Sequence, residues 1–237
     1  KTGFEGDALI IDGADAANHE IPSALARELR SSVFLLGSVV ARFGRARIAY
    51  PGGCDIGLRP VDLHLQGLRR LGVGVREEGG CIDCSCSGVR GAEIVLDCPS
   101  VGATENILLA AVTARGTTVI RNAAREPEIV DLQNFLNCMG GKIAGAGTSV
   151  IAVEGVRRLH GAEYTPLPDR IEAGTFLIAA AMCGGEIALR NAKSENLASL
   201  IHKLREISCK IHAKDDKIYI ECGARRLSPK LVETSPY

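Results

Sequence analysis

The tripeptide Arg-Asn-Ala occurs twice, at Arg121–Ala123 and Arg190–Ala192, and both copies close the β-like passage of the same larger pattern. An apolar run is followed by glycine, then a short β-like passage, then a polar turn and an amphipathic run. The apolar runs are 32–43, 104–114 and 172–183, and Gly44, Gly116 and Gly184 stand where a helix C-terminus expects glycine. The amphipathic runs are 61–71, 129–139 and 197–207; Val61, Leu65, Leu68 and Leu71 mark one face of the first. Short alternating strands follow each of them. The unit reads β-α-β-α-β-β, spans about 70 residues and occurs three times, which makes it a whole supersecondary module and not a solenoid turn. The first helices, rich in Ala and Leu, are expected to be buried all round and the second ones on one face only. The fold class is α/β (α+β), with inner helices enclosed by sheets.

The chain has 237 residues, with 28 basic and 28 acidic side chains. A net charge of zero argues against broad electrostatic binding of nucleic acid. Aromatics are 4 % and Trp is absent, so the core must be aliphatic. The first residues show no apolar leader and no run is long enough to span a bilayer, so no membrane insertion is expected. Nine cysteines form an odd set and read as free thiols in a reducing cytoplasm. Cys81, Cys84 and Cys86 lack a second Cys/His pair at zinc spacing, and no metal site is expected. No phosphate-binding P-loop, dinucleotide fingerprint or nucleophile elbow is present.

The residues that can carry chemistry cluster in polar loops. In Pro51-Gly-Gly-Cys-Asp-Ile-Gly-Leu-Arg-Pro60, glycines let backbone approach a ligand, and Cys54 lies five positions before Arg59. Asp55 beside the thiol would raise its pKa. Arg59 can grip a phosphate or carboxylate bidentately, and Pro60 suits a helix start. Ser100-Val101-Gly102 opens an apolar helix, where free N–H groups favour an anion. Arg30 precedes the first inner helix, and Glu126 stands in a charged turn before the Ile129 run.

These motifs occur in the order found in the UDP-N-acetylglucosamine 1-carboxyvinyltransferases, enolpyruvyl transferases that open peptidoglycan synthesis, and the chain resembles that family throughout. The matching stretches are Arg30-Ser-Ser, Pro51-Gly-Gly-Cys…Arg-Pro, Ser100-Val-Gly-Ala-Thr, Asn122-Ala-Ala-Arg-Glu-Pro-Glu-Ile and Leu167-Pro-Asp-Arg-Ile-Glu. The resemblance implies transfer of enolpyruvate from phosphoenolpyruvate to the 3′-hydroxyl of UDP-N-acetylglucosamine, through a tetrahedral intermediate, without metal or organic cofactor. It makes Cys54 the acid to C3 and the thiol alkylated by fosfomycin. It gives Arg59 to phosphoenolpyruvate, Pro60, Val61, Asp62 and Leu63 to the nucleotide, Ser100, Val101 and Gly102 to the diphosphate, and Arg30 to substrate. Glu126 and Asp169 fall near the cleft.

The same resemblance assigns residues 1–167 to a first domain lacking its N-terminal part and 168–237 to the beginning of a second. The family's N-terminal Lys-Asn pair has no match here, and its general base would lie beyond Tyr237. The chain therefore reads as a central fragment, expected to be inactive alone. Two alternatives share the fold: a non-catalytic relative that keeps nucleotide-sugar binding, and the sister enzyme acting on shikimate 3-phosphate, which lacks the cysteine loop.

Overall fold

A computed structural model describes residues 2–52, 61–223 and 232–233. Its chain separates into two compact units, Lys1–Tyr164 and Thr165–Tyr237. Each has its own aliphatic core, one built from residues between Ala26 and Val153, the other from residues between Leu177 and Cys222.

In the first unit, strands β1 (Thr2–Glu5) and β2 (Ala8–Ile11) form an antiparallel hairpin. Helix α1 (Ser23–Glu28) and a 3₁₀ turn (Arg30–Phe34) lead into α2 (Leu35–Phe43). Strand β3 (Arg45–Ala49), helix α3 (Asp62–Arg70) and strands β4 (Gly74–Glu78) and β5 (Cys81–Ser85) follow, and the strands pair antiparallel in the order β3-β5-β4. The next module holds β6 (Glu93–Val95), α4 (Val101–Ala111), β7 (Thr117–Arg121), α5 (Pro127–Cys138), β8 (Lys142–Ala144) and β9 (Val150–Glu154). Its sheet runs β6-β7-β9-β8, with β6 and β7 parallel.

The second unit repeats the plan from its inner helix onward, with no strand before that helix among the described residues: α6 (Arg170–Cys183), β10 (Gly185–Arg190), a 3₁₀ turn (Ser194–Leu197), α7 (Ala198–Glu206), β11 (Lys210–Lys214) and β12 (Lys217–Cys222). The sheet order is β10-β12-β11. The Arg-Asn-Ala repeat has a backbone cause: Asn122 and Asn191 both adopt left-handed φ, 56° and 52°. Asparagine tolerates that turn better than most residues.

Helix α4 is the axle of the first unit and is buried nearly all round, as its composition predicts. Glycines on both neighbours let it in. A Cβ on Gly37 of α2 would stand 2.2 Å from the Asn106 carbonyl oxygen, and one on Gly67 of α3 would stand 2.4 Å from Ile107 Cδ1. Both lie below any real contact distance, so the close helix approach depends on the missing side chains.

Three expectations need correction. Helices α2 and α6 are not buried all round: Leu35 and Arg42 of α2 are exposed, and so are Ile171, Phe176, Ile178 and Met182 of α6, because the described residues of the second unit supply packing partners for one face of α6 only. Gly116 is not a helix cap. Helix α4 ends at Ala111, and Gly116 turns with φ 96° into β7, whereas Gly44 caps α2 with φ 69°. The cysteines are not all free, since Cys209 and Cys222 are joined in a disulfide. On β5, Ile82 and Cys84 are buried toward the core and Cys81 takes the opposite face, while Cys86 lies one residue past the strand and is half-buried.

Candidate functional site

Helix α4 begins where a polar turn meets an apolar run. Ser100 is extended (φ −136°, ψ 117°), and its hydroxyl accepts a hydrogen bond from the Ala103 N–H at 3.3 Å. By helix geometry the Val101 and Gly102 N–H groups have no intrahelical acceptor, which leaves positive partial charge at this end. A Cβ on Gly102 would meet Phe34 Cε1 at 2.6 Å and His64 Cε1 at 3.0 Å, so this glycine is required by packing whatever it binds.

Phe34 and His64 stack with ring centroids 5.9 Å apart and 17° between planes. His64 is buried on α3 and held by Asn106. The Gly37 N–H donates to Asn106 Oδ1 at 2.7 Å, which fixes the orientation of the amide. Its Nδ2 then donates to the Val33 carbonyl at 3.1 Å and to His64 Nδ1 at 3.1 Å. An amide N–H₂ only donates, so this network assigns Nδ1 as acceptor and puts the ring proton on Nε2. Burial lowers the His64 pKa to about 4, and the positive charge of Arg30 pushes the same way. At neutral pH the site thus carries a neutral imidazole beside a guanidinium.

The structure brings Arg30, His64 and the Ser100–Gly102 turn together. Asp62 and Leu63 open α3, one exposed and one half-buried. Val61 is buried in the core, so only its backbone is left for a ligand. Cys54, Asp55, Arg59 and Pro60 lie outside the described residues. Asp169 belongs to the second unit, where its carboxylate caps α6, accepting from Ile171 N–H at 2.7 Å and Glu172 N–H at 3.1 Å.

Sequence reasoning missed Glu105. It is half-buried on α4, and its pKa is raised to about 7 by burial and then by the nearby charges of Glu128 and Glu126 at the start of α5. The carboxyl is ionised in the unfolded chain above its ordinary pKa but resists ionisation when folded. Stability therefore falls as pH rises from about 4.5 to 7. Glu105→Gln should raise the unfolding free energy at pH 8 by about 1 kcal/mol, a value reduced because part of the carboxyl still touches water. Urea unfolding at pH 8 and pH 5 checks this; a gain of equal size at both would show that charge is not its cause.

The fold is that of the enolpyruvyl transferases. The crystal structure of the enolpyruvyl transferase NikO from Streptomyces tendae superposes with a TM-score of 0.80 at 21 % identity, over 94 % of this chain and 54 % of that one. An EPSP synthase from Acinetobacter baumannii matches with a TM-score of 0.62 at 19 % identity, over 81 % of this chain and 46 % of that one. Within that class the chain belongs to the EPSP synthase (3-phosphoshikimate 1-carboxyvinyltransferase) family, whose model matches residues 4–237.

Curated relatives are much nearer in sequence. UDP-N-acetylglucosamine 1-carboxyvinyltransferase 2 of Caldanaerobacter subterraneus subsp. tengcongensis is 54 % identical over all of this chain and 57 % of its own length. UDP-N-acetylglucosamine 1-carboxyvinyltransferase 1 of Symbiobacterium thermophilum is 50 % identical over 99 % of this chain and 53 % of its own length. The enzyme so named from Enterobacter cloacae subsp. cloacae is 48 % identical over 96 % of this chain and 54 % of its own length. The chain spans about half the length of the curated relatives it matches.

Proposed function

We propose that this chain is part of a transferase that moves enolpyruvate from phosphoenolpyruvate to the 3′-hydroxyl of UDP-N-acetylglucosamine with release of phosphate. The observation that carries the reading is the identity of 48–54 % to relatives bearing that name. The site supports it physically. A helix N-terminus with two N–H groups that have no intrahelical acceptor, next to Arg30 and a neutral His64, suits a diphosphate better than a neutral sugar alone. Ser100, Val101 and Gly102 hold the diphosphate, Arg30 adds charge, and Asp62 and Leu63 flank the nucleotide. Cys54 and Arg59 act on phosphoenolpyruvate, Cys54 also being the fosfomycin target. The work is proton transfer and stabilisation of developing negative charge. Residues 1–167 and 168–237 belong to the enzyme's first and second domains. The setting is the cytoplasm and cell-wall synthesis; among the described residues no helix is long and apolar enough to cross a membrane.

Calorimetric titration with UDP-N-acetylglucosamine, and with shikimate 3-phosphate as its competitor, tests the reading. Selective heat from the sugar nucleotide, lost in Arg30→Ala, is expected. Selective binding of shikimate 3-phosphate would instead favour the activity named in the family model, and the sugar-nucleotide reading would be abandoned.

A further inference from the structure

The three modules close their last hairpin in the same way, and only one of them does it with two cysteines. The final paired rows are Gly74↔Ser85, Lys142↔Glu154 and Lys210↔Glu221. One step further stand Val73 and Cys86, Gly141 and Gly155, and Cys209 and Cys222. The backbone confirms that these positions correspond. Val73, Gly141 and Cys209 each donate their N–H to a carbonyl at the end of the preceding helix, namely Leu68, Leu136 and Leu204. Cys86 and Gly155 donate to Gly44 and Gly116, the glycines that open the first strands, and Cys222 stands opposite Gly185, which opens β10. The first module has valine opposite a single cysteine and the second has two glycines, so the fold itself does not demand two thiols.

In the third module the two cysteines face each other across β11 and β12, both buried in the second core. Their Cα atoms are 4.6 Å apart, a separation that a disulfide accommodates. We propose that Cys209 and Cys222 are a reversible dithiol–disulfide pair that fastens the second unit's sheet when oxidised. Oxidation forms one Sγ–Sγ bond and releases two protons and two electrons. A small-molecule disulfide such as oxidised glutathione accepts them and leaves as two thiols. Reduction by excess thiol reverses the exchange. Burial places the exchange after local opening of the β11–β12 hairpin, so the oxidised state is long-lived once formed. The linked residues enclose a short loop, and closing it restricts the unfolded chain.

The test uses the purified chain equilibrated in buffers of defined oxidised-to-reduced glutathione ratio, acid-quenched, unfolded and alkylated. Peptide mass should show the Cys209 and Cys222 peptides linked, lighter by two hydrogens, at high ratio. Both should be alkylated at low ratio, with a single midpoint between. The second unit's melting temperature should be about 10 °C higher in the oxidised form. Cys209→Val, which borrows the residue of the first module, should keep the sheet while making the melting temperature independent of the ratio. Full alkylation of both cysteines at every ratio, or glutathione attached to either one without the linkage, would overturn the proposal. So would a ratio-dependent melting temperature that persists in Cys209→Val.

Discussion

Asn106→Ala should lower the unfolding free energy of the first unit by about 3–5 kcal/mol. The residue is fully buried, and its side chain makes three hydrogen bonds, to Gly37, Val33 and His64. Each partner lies on a different piece of chain: α2, the 3₁₀ turn and α3. Truncation strands a donor on Gly37 and an acceptor on His64 and leaves the Val33 carbonyl only the Leu35 N–H, and every orphaned buried group costs about 1–3 kcal/mol. Water cannot simply replace the amide, since α2 and α4 are in contact at Gly37. Asn106→Asp should lie between, because its oxygen still accepts from Gly37 but offers His64 no donor. Urea unfolding of the three proteins at pH 7.5 checks the order; a loss under about 1 kcal/mol for alanine would mean that the network is not cooperative.

The same residue shows what a single sequence reveals. The repeat, the buried helix α4 and the chain order of the helices and strands that follow each inner helix were legible because glycine, Arg-Asn-Ala and apolar periodicity are local signals. Asn106 was not legible as a hub. In Thr104-Glu-Asn-Ile-Leu it looks like one more residue of a capped helix, and its partners are distant in sequence. One signal was available: an amide in an otherwise apolar inner helix must find partners. Glu105 escaped for a similar reason, since its pKa depends on Glu126 and Glu128 from another element. The exposed face of α6 escaped because an Ala- and Leu-rich run states that a helix can be buried, and says nothing of whether neighbours exist to bury it. Cys209 and Cys222 were visible, but only strand register reveals that they face each other. The Ser100 cap that opens α4 was the most legible part, because it is helix-end physics and needs no tertiary context.

Acidification should unfold the first unit through His64. Its folded pKa of about 4 lies below the ordinary histidine value of 6.5, so the unfolded chain binds a proton that the folded chain refuses. Stability is complete above 6.5 and falls as pH drops toward 4, by about 2 kcal/mol at pH 5 and about 3 at pH 4. Structure gives the reason: a proton on Nδ1 would face the Asn106 N–H₂, donor against donor, inside a ring stack and beside Arg30. Glu105 works in the opposite direction over the same range, gaining stability as it is protonated, so the wild-type profile is flattened. The clean measurement is therefore in Glu105→Gln, where the acid loss from pH 7.5 to 5 should stand alone. The carbon-bound ring protons of His64 give a direct reading by NMR, with no titration expected between pH 8 and 5 in the folded protein. A midpoint near 6.5 for that ring would mean that the folded site accepts a proton on His64 as readily as water does, and it would remove the acid sensitivity.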